Sequence, residues 1–153
     1  MQVKDLMITD VITLPKTATY EQAAKLLYSR DMSGVCVVDE SGKLVGVISE
    51  KDLFRVLYPS YGSFYLHPEM YIDLEAREKK ALEIRHQPIE GYITRAPISV
   101  DPDMPILMAG AKMLAERVHR LPVVKDGKLV GVLTRSRVFN KILKENFEVQ
   151  REK

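Results

Sequence analysis

The sequence predicts an α/β (α+β) fold in which two βαββα repeats pack around a pseudo-twofold axis into one module. Three observations carry that expectation. RDMSGVCVVDESGKLVGVISEKDLFRVL aligns with ERVHRLPVVKDGKLVGVLTRSRVFNKIL, so the chain contains an internal duplication. Each copy holds two short apolar runs joined by a Gly-containing turn, the pattern of a hairpin. Helix-opening residues flank those runs, with Thr19 followed by Gln22 and Ser49 followed by Asp52.

The register of the duplication fixes its extent. Met32 aligns with Val118, an offset of 86, and Gly46 with Gly131, an offset of 85. The difference falls in the turn, where DESGK is one residue longer than KDGK, and a hairpin turn is where an insertion is tolerated. Upstream, DVITLPKTATYEQAAKLL matches APISVDPDMPILMAGAKML. Residues 1–58 form the first repeat and 87–145 the second, with a connector at 59–86 and a charged tail at 146–153.

Each repeat opens with an apolar segment (Val3–Met7; Ile89–Ile93) and a short extended run (Val11–Leu14; Ile98–Val100). A helix follows, started by Thr19 in one copy and by Asp103 with Pro105 in its first turn in the other. Its apolar stripe is Ala23, Leu26 and Leu27, or Ile106, Ala109, Met113 and Leu114. The hairpin strands are Val35–Val38 with Leu44–Ile48, and Leu121–Val124 with Leu129–Leu133. A last helix starts just past Ser49 or Thr134. One repeat alone would leave a sheet face uncovered. Two copies bury those faces on each other and create a pair of clefts, a common place for a ligand.

The connector carries Tyr58, Tyr61, Phe64, Tyr65 and Tyr71 around Pro59, Gly62 and Pro68. It then reads as a helix, with Glu75–Lys79 spaced i,i+4 and Leu74, Ala81 and Ile84 on a buried side. Packing on the module's flank is the plain reading. A partner or dimer surface, or a lid, is the sharper one.

Composition narrows the function. Lys and Arg number 23 against 21 Asp and Glu, and a net charge of +2 makes no case for nucleic acid. The one cysteine, Cys36, sits in the apolar run VCVV and reads as a buried thiol in a reducing compartment. No apolar run is long enough to span a membrane and no signal peptide is visible, so a cytoplasmic location is expected. His67, His86 and His119 are scattered, and neither HExxH nor CxxC occurs, so no metal site is expected. Without a phosphate loop or a nucleophile elbow, an enzyme is the weaker class of hypothesis.

Three features carry recognition chemistry. Ser49 and Asp52 make a capping box, and a carboxylate in the first turn also complements the helix dipole. In the second copy Thr134 keeps the cap, but Arg137 replaces the acid and Arg135 adds a second cation. Arg137 either extends into solvent or helps to bind an anion. Finally, His119 and Arg120 stand where the first copy has Ser33 and Gly34. A ligand with a diol and a phosphate would suit a carboxylate at one end and cations at the other.

These residues, VGVISEKD in a duplicated βαββα frame together with VHRLPVV, resemble a tandem pair of CBS domains (the cystathionine β-synthase type, or Bateman module) over nearly the whole chain. The resemblance implies a module that binds an adenosine-containing ligand and regulates an attached or partner protein. It implies Asp52 on the ribose hydroxyls and Ser49 near the ribose or phosphate. It implies adenine held by apolar residues of the same repeat, here Met7, Ile12, Met32 and Gly34. His119 and Arg120 match a phosphate-contacting pair from the opposite repeat. The second repeat departs from the pattern at Arg137, so Thr134, Arg135 and Arg137 mark either a second anion site or additional phosphate contacts.

A stand-alone regulatory module that senses AMP, ADP or ATP is the leading reading, with S-adenosylmethionine less favoured because it has no phosphate for His119 and Arg120. A ligand-free homodimerisation module is the alternative. Nucleic-acid binding through Arg120, Arg135 and Arg137 stands third.

Overall fold

A computed structural model of the chain describes residues 1–57, 66 and 74–147. The connector aromatics Tyr58, Tyr61, Phe64, Tyr65 and Tyr71 lie outside the described residues, as do Pro59, Gly62, His67, Pro68 and residues 148–153 of the tail. So do the side chains of residues 74–77.

In chain order the elements are β1 (Thr13–Pro15), α1 (Tyr20–Ser29), β2 (Gly34–Val38), β3 (Leu44–Ser49), α2 (Glu50–Arg55) and α3 (Leu74–Ile84). The second half adds β4 (Thr94–Arg95), α4 (Ile106–Ala115), β5 (Arg120–Lys125), β6 (Lys128–Thr134) and α5 (Arg135–Phe147), and 3-10 turns occur at Val3–Asp5 and Ile89–Gly91. This is the mixed α/β arrangement of two βαββα repeats. The chain forms two compact units. The Asp52 unit comprises Thr13–Glu40 and Val45–Ala96, and the Arg137 unit comprises Met1–Ile12, Ser41–Leu44 and Pro97–Lys153.

In the Asp52 unit the sheet runs β1-β2-β3-β4. β1 is parallel to β2, with Thr13 opposite Cys36, and parallel neighbours require a crossover, which α1 supplies. The alternating strand residues Val35 and Val37 are buried in one cluster with Ala23 and Leu27 of α1, Ile48 of β3, Ile84 of α3 and Ile89. Cys36 is buried too. α1 begins at the expected capping box: Thr19 N–H donates to Gln22 Oε1 at 2.9 Å, and Gln22 N–H returns to Thr19 Oγ1 at 3.2 Å. Two further orphan donors of that helix, the N–H groups of Tyr20 and Glu21, reach the carbonyls of Gln87 (2.9 Å) and Arg85 (3.0 Å). The Tyr20 hydroxyl donates to the Leu53 carbonyl at 2.8 Å and so joins α1 to α2.

In the Arg137 unit β5 and β6 pair antiparallel, with Arg120 opposite Thr134 and a bulge at Val123/Val124. Val100 bridges β5 in parallel and Ile8 bridges β6 antiparallel, which reproduces the four-part order of the first sheet in shorter form. Val3, Val100, Ile106, Ala109, Met113, Leu121, Val123, Leu133 and Val138 make the core. Two expectations change here. α4 starts at Ile106 with Pro105 at its cap, whereas Asp103 lies in a turn upstream, its N–H donating to Asp101 Oδ1 at 2.8 Å. The Asp103 carboxylate instead takes Lys4 Nζ at 2.7 Å and Lys125 Nζ at 3.5 Å. Leu114 faces outward and is 69% exposed, because the buried stripe follows Ile106, Ala109 and Met113 around the helix.

The duplication persists at the level of single hydrogen bonds. Met32 N–H closes α1 on the Leu27 carbonyl at 2.9 Å, and Val118 N–H closes α4 on the Met113 carbonyl at 3.0 Å. Asp31 and Arg117 both take left-handed φ, at 50° and 55°, just before these closures. Glu50 N–H donates to the Ser33 carbonyl at 3.1 Å, and Arg135 N–H to the His119 carbonyl at 2.9 Å.

The leading segments do not stay with their own repeats. Val3 N–H donates to the carbonyl of Met104 (2.9 Å), whereas its repeat equivalent Ile89 donates to Ala18 (2.8 Å). Ile8 pairs with Val132, and Thr94 with Val47. Each hairpin thus has its outer edge covered by the segment that precedes the other repeat, which removes an open sheet edge. Two glycines permit the approach. A Cβ at Gly46 would lie 2.6 Å from the Thr94 carbonyl oxygen, and one at Gly131 would lie 2.7 Å from Met7 Sδ and 3.0 Å from the Ile8 carbonyl oxygen.

Candidate functional site

The strand-to-helix junction β3–α2 places Asp52. Ser49 ends the strand in extended backbone and caps the helix, accepting from Asp52 N–H at 3.2 Å. In return one carboxylate oxygen, Oδ2, accepts both the Ser49 N–H (2.9 Å) and the Ser49 hydroxyl (2.8 Å). The capping box is therefore formed. It uses only one side of the carboxylate: among the described residues nothing donates to Oδ1. Asp52 is half-buried, so Oδ1 keeps its two acceptor positions for a solvent or ligand donor.

The surroundings are small. The Glu50–Ser33 hydrogen bond holds the start of β2 beside this junction. A Cβ at Gly34 would lie 3.2 Å from the Ile48 carbonyl oxygen and 3.5 Å from Ser49 Cβ, so the backbone there is bare. Met32, half-buried, packs on the same core. A carboxylate oxygen and a neighbouring hydroxyl can together accept a pair of hydroxyl donors.

The equivalent junction in the other unit is built for different chemistry. Arg137 N–H reaches Thr134 Oγ1 at 3.4 Å, a weaker cap, and Thr134 Oγ1 lies 3.2 Å from Ser136 Oγ. The Arg137 guanidinium donates from Nη1 to the Leu6 carbonyl at 3.0 Å. Arg137 therefore grips the N-terminal 3-10 turn, a role its position in the sequence does not disclose. Arg135 and His119 are exposed, and Arg120 is half-buried opposite Thr134.

Of the sequence-predicted residues, Asp52, Ser49, Gly34 and Met32 belong to the Asp52 unit. Met7, Ile12, His119, Arg120, Thr134, Arg135 and Arg137 belong to the other. Met7 and Ile12, which the sequence groups with Asp52 in one repeat, belong to the other compact unit, where the pairing of Ile8 with Val132 holds their segment on β6. The residues that border the Asp52 strand are Ile93 and Thr94, and Ile93 Cδ1 lies 3.1 Å from where a Gly46 Cβ would be. The offset of 86 equates Met7 with Ile93, so the signal was present in the alignment; which hairpin each segment covers was not.

Among the described residues no group of three or more His, Cys, Asp or Glu could hold a metal ion, and no helix is long and apolar enough to cross a membrane.

Comparison with known proteins agrees with this architecture. The CBS domain family matches residues 3–59 and again 89–144. The uncharacterized protein MJ1426 of Methanocaldococcus jannaschii is 31% identical over 147 residues, covering 88% of this chain and 87% of that protein. Other relatives are longer: the chain spans 39% of the length of MJ1225 from the same organism, and 58% of the chloroplastic CBS domain-containing protein CBSX1 of Arabidopsis thaliana. Among solved structures, CBSX2 of Arabidopsis thaliana in complex with AMP superposes with a TM-score of 0.71 at 26% identity, covering 94% of this chain and 97% of that one. The CBS domain pair of MJ0100, in complex with 5-methylthioadenosine and S-adenosyl-L-methionine, gives 0.69 at 26% identity, covering 95% and 98%. The chain belongs to the CBS domain family, as a tandem pair.

Proposed function

We propose that this CBS pair is a regulatory module that binds an adenosine-containing ligand, with the Asp52 carboxylate accepting from the ribose hydroxyls. The observation that carries the reading is the divided carboxylate: Oδ2 is held by Ser49, and Oδ1 receives no donor from the described residues. Beside it Ser49 gives a hydroxyl, and Gly34 approaches the Ile48 carbonyl and Ser49 closely without a side chain. Two structurally similar CBS pairs carry AMP, or 5-methylthioadenosine and S-adenosyl-L-methionine, which supports the ligand class. AMP, ADP and ATP are preferred here on the family resemblance of His119 and Arg120 to a phosphate pair. Met7 and Ile12 are assigned to the adenine only by that resemblance. Binding would regulate a protein partner only if the ligand favours one of two states of the module.

Calorimetric titration of AMP, ATP and S-adenosylmethionine tests the reading. Asp52→Asn keeps an acceptor for Ser49 and removes the charge facing the ribose, so it should weaken nucleotide binding at least tenfold. Equal affinity in wild type and Asp52→Asn overturns the assignment. Weakening by His119→Ala with Arg120→Ala of ATP but not of S-adenosylmethionine would support the phosphate role.

A second reading, association of two copies, is favoured by exposed apolar side chains on α4 and α5: Leu107 (67%), Met108 (59%), Leu114 (69%) and Phe139 (57%). Light scattering without nucleotide tests it, a monomer mass counting against it.

A further inference from the structure

A groove of about 570 Å³ runs along α5 within the Arg137 unit. Arg137, Lys141 and Lys144 line it at i, i+4 and i+7, which stacks three cations on one helix face over about 10 Å of axis. Asn140 adds an amide between them, and the wall opposite is the 3-10 turn with Leu6 and Met7. Asp5 is the one acid in the lining, and its Oδ2 already accepts the Gln2 N–H at 2.8 Å. Three cations therefore face one partly engaged carboxylate.

Two of the cations already have partners. Lys141 is paired with Glu145 at 2.8 Å, one turn on, where both side chains are more than a third exposed. Such a pair is worth little and an arriving anion can displace it. Arg137 commits Nη1 to the carbonyl of Leu6, itself a lining residue, which orients the guanidinium and leaves its other donors for a ligand. A guanidinium oriented beforehand and two lysines at helical spacing suit an anion with charges on more than one group. The size suits a small molecule.

We infer that this groove binds a small anion carrying two or more phosphoryl groups, held by Arg137, Lys141 and Lys144 with Asn140 donating between them. The site is separate from the ribose reading of Asp52 and does not rest on it.

The experiment is calorimetry of the full chain with tripolyphosphate, and in a second arm with a sugar bisphosphate, at low and moderate salt. Wild type should bind at least one of the two, more weakly as salt rises. Lys141→Gln with Lys144→Gln should lower the affinity at least tenfold while leaving AMP binding at Asp52 unchanged. Asn140→Asp, which adds a charge without shortening the side chain, should do the same and shows that the loss is electrostatic. Asp52→Asn should leave tripolyphosphate binding intact. No binding of either anion at millimolar concentration, an unchanged affinity in the lysine variant, or a loss in Asp52→Asn each overturns the proposal. So does tighter binding of single-stranded oligonucleotide than of either small anion.

Discussion

Arg137 Nη1 stands 3.0 Å from the carbonyl oxygen of Leu6, 131 residues away in the chain. A cation in the first turn of a helix works against the dipole by about 0.3–1 kcal/mol. A hydrogen bond to a charged donor offsets a cost of that size even at an exposed position. The exchange of Asp for Arg between the repeats is thus a change of task, from an acceptor to a grip on the N-terminal turn.

Arg137→Ala should therefore move global stability by less than about 0.5 kcal/mol, since the dipole gain and the lost hydrogen bond nearly cancel. Local protection should fall. Amide exchange at Met7 and Ile8, whose N–H groups bond to Val3 and Val132, is expected to accelerate several-fold. A large shift in the urea midpoint with unchanged exchange would mean that the Leu6 contact is not what Arg137 provides.

Asp52 has a structural role that can be measured apart from any ligand. Asp52→Ala removes the acceptor for both Ser49 donors and should cost about 1 kcal/mol. In a chain of this size that lowers the melting temperature by about 2–4 °C. Asp52→Asn should recover most of the loss, because an amide oxygen can take the place of Oδ2. Equal melting temperatures for wild type and Asp52→Ala in the absence of nucleotide would deny the cap its energetic weight.

The two close-approach glycines should respond unequally to alanine. At Gly46 the new Cβ meets a backbone oxygen, that of Thr94 at 2.6 Å, and either β3 or β4 must move. At Gly131 the nearest atom belongs to the flexible Met7 side chain, with the Ile8 oxygen next at 3.0 Å. Gly46→Ala is expected to cost about 3 kcal/mol and Gly131→Ala about 1 kcal/mol in urea unfolding. The reverse order would show that β4 yields more readily than the Met7 segment.

A pH dependence follows from Asp103. Hydrogen bonding to Lys4, then the charges of Lys4 and Lys125, hold its carboxyl below the usual 3.8, and the same hydrogen bond holds Lys4 above its usual 10.5. A carboxyl lowered on folding stabilises above its unfolded value, and that contribution is lost as pH falls through the folded value. For the raised amine it is present below 10.5 and lost as pH rises through the folded value. Asp103→Asn should accordingly be less stable than wild type at pH 7 in low salt, and the gap should close in strong acid. A gap independent of pH would assign the loss to the turn at Asp101.

Much of this was legible from the sequence because the duplication lets one copy check the other. The capping boxes at Thr19 and Ser49, the hairpins and the buried stripe through Ala23 and Leu27 all follow from local chemistry. Asp103 looks like a cap because Asp followed by Pro two residues later imitates a helix start, and nothing local reveals that Lys4 and Lys125 claim the carboxylate. The membership of Met7 could not be read either. It depends on which sheet edge the segment covers, a pairing between residues more than a hundred positions apart.

The exchange of leading segments has a consequence for dividing the chain. A cut at the sequence boundary would free residues 1–58 carrying a segment that covers β6 and lacking Thr94–Arg95, which covers β3. Each half would end with a bare strand and a loose apolar turn. Two such halves, made separately, could satisfy both needs only by trading their first residues. The two repeats are therefore interdependent, and the chain divides where the compact units change, not where the sequence repeats.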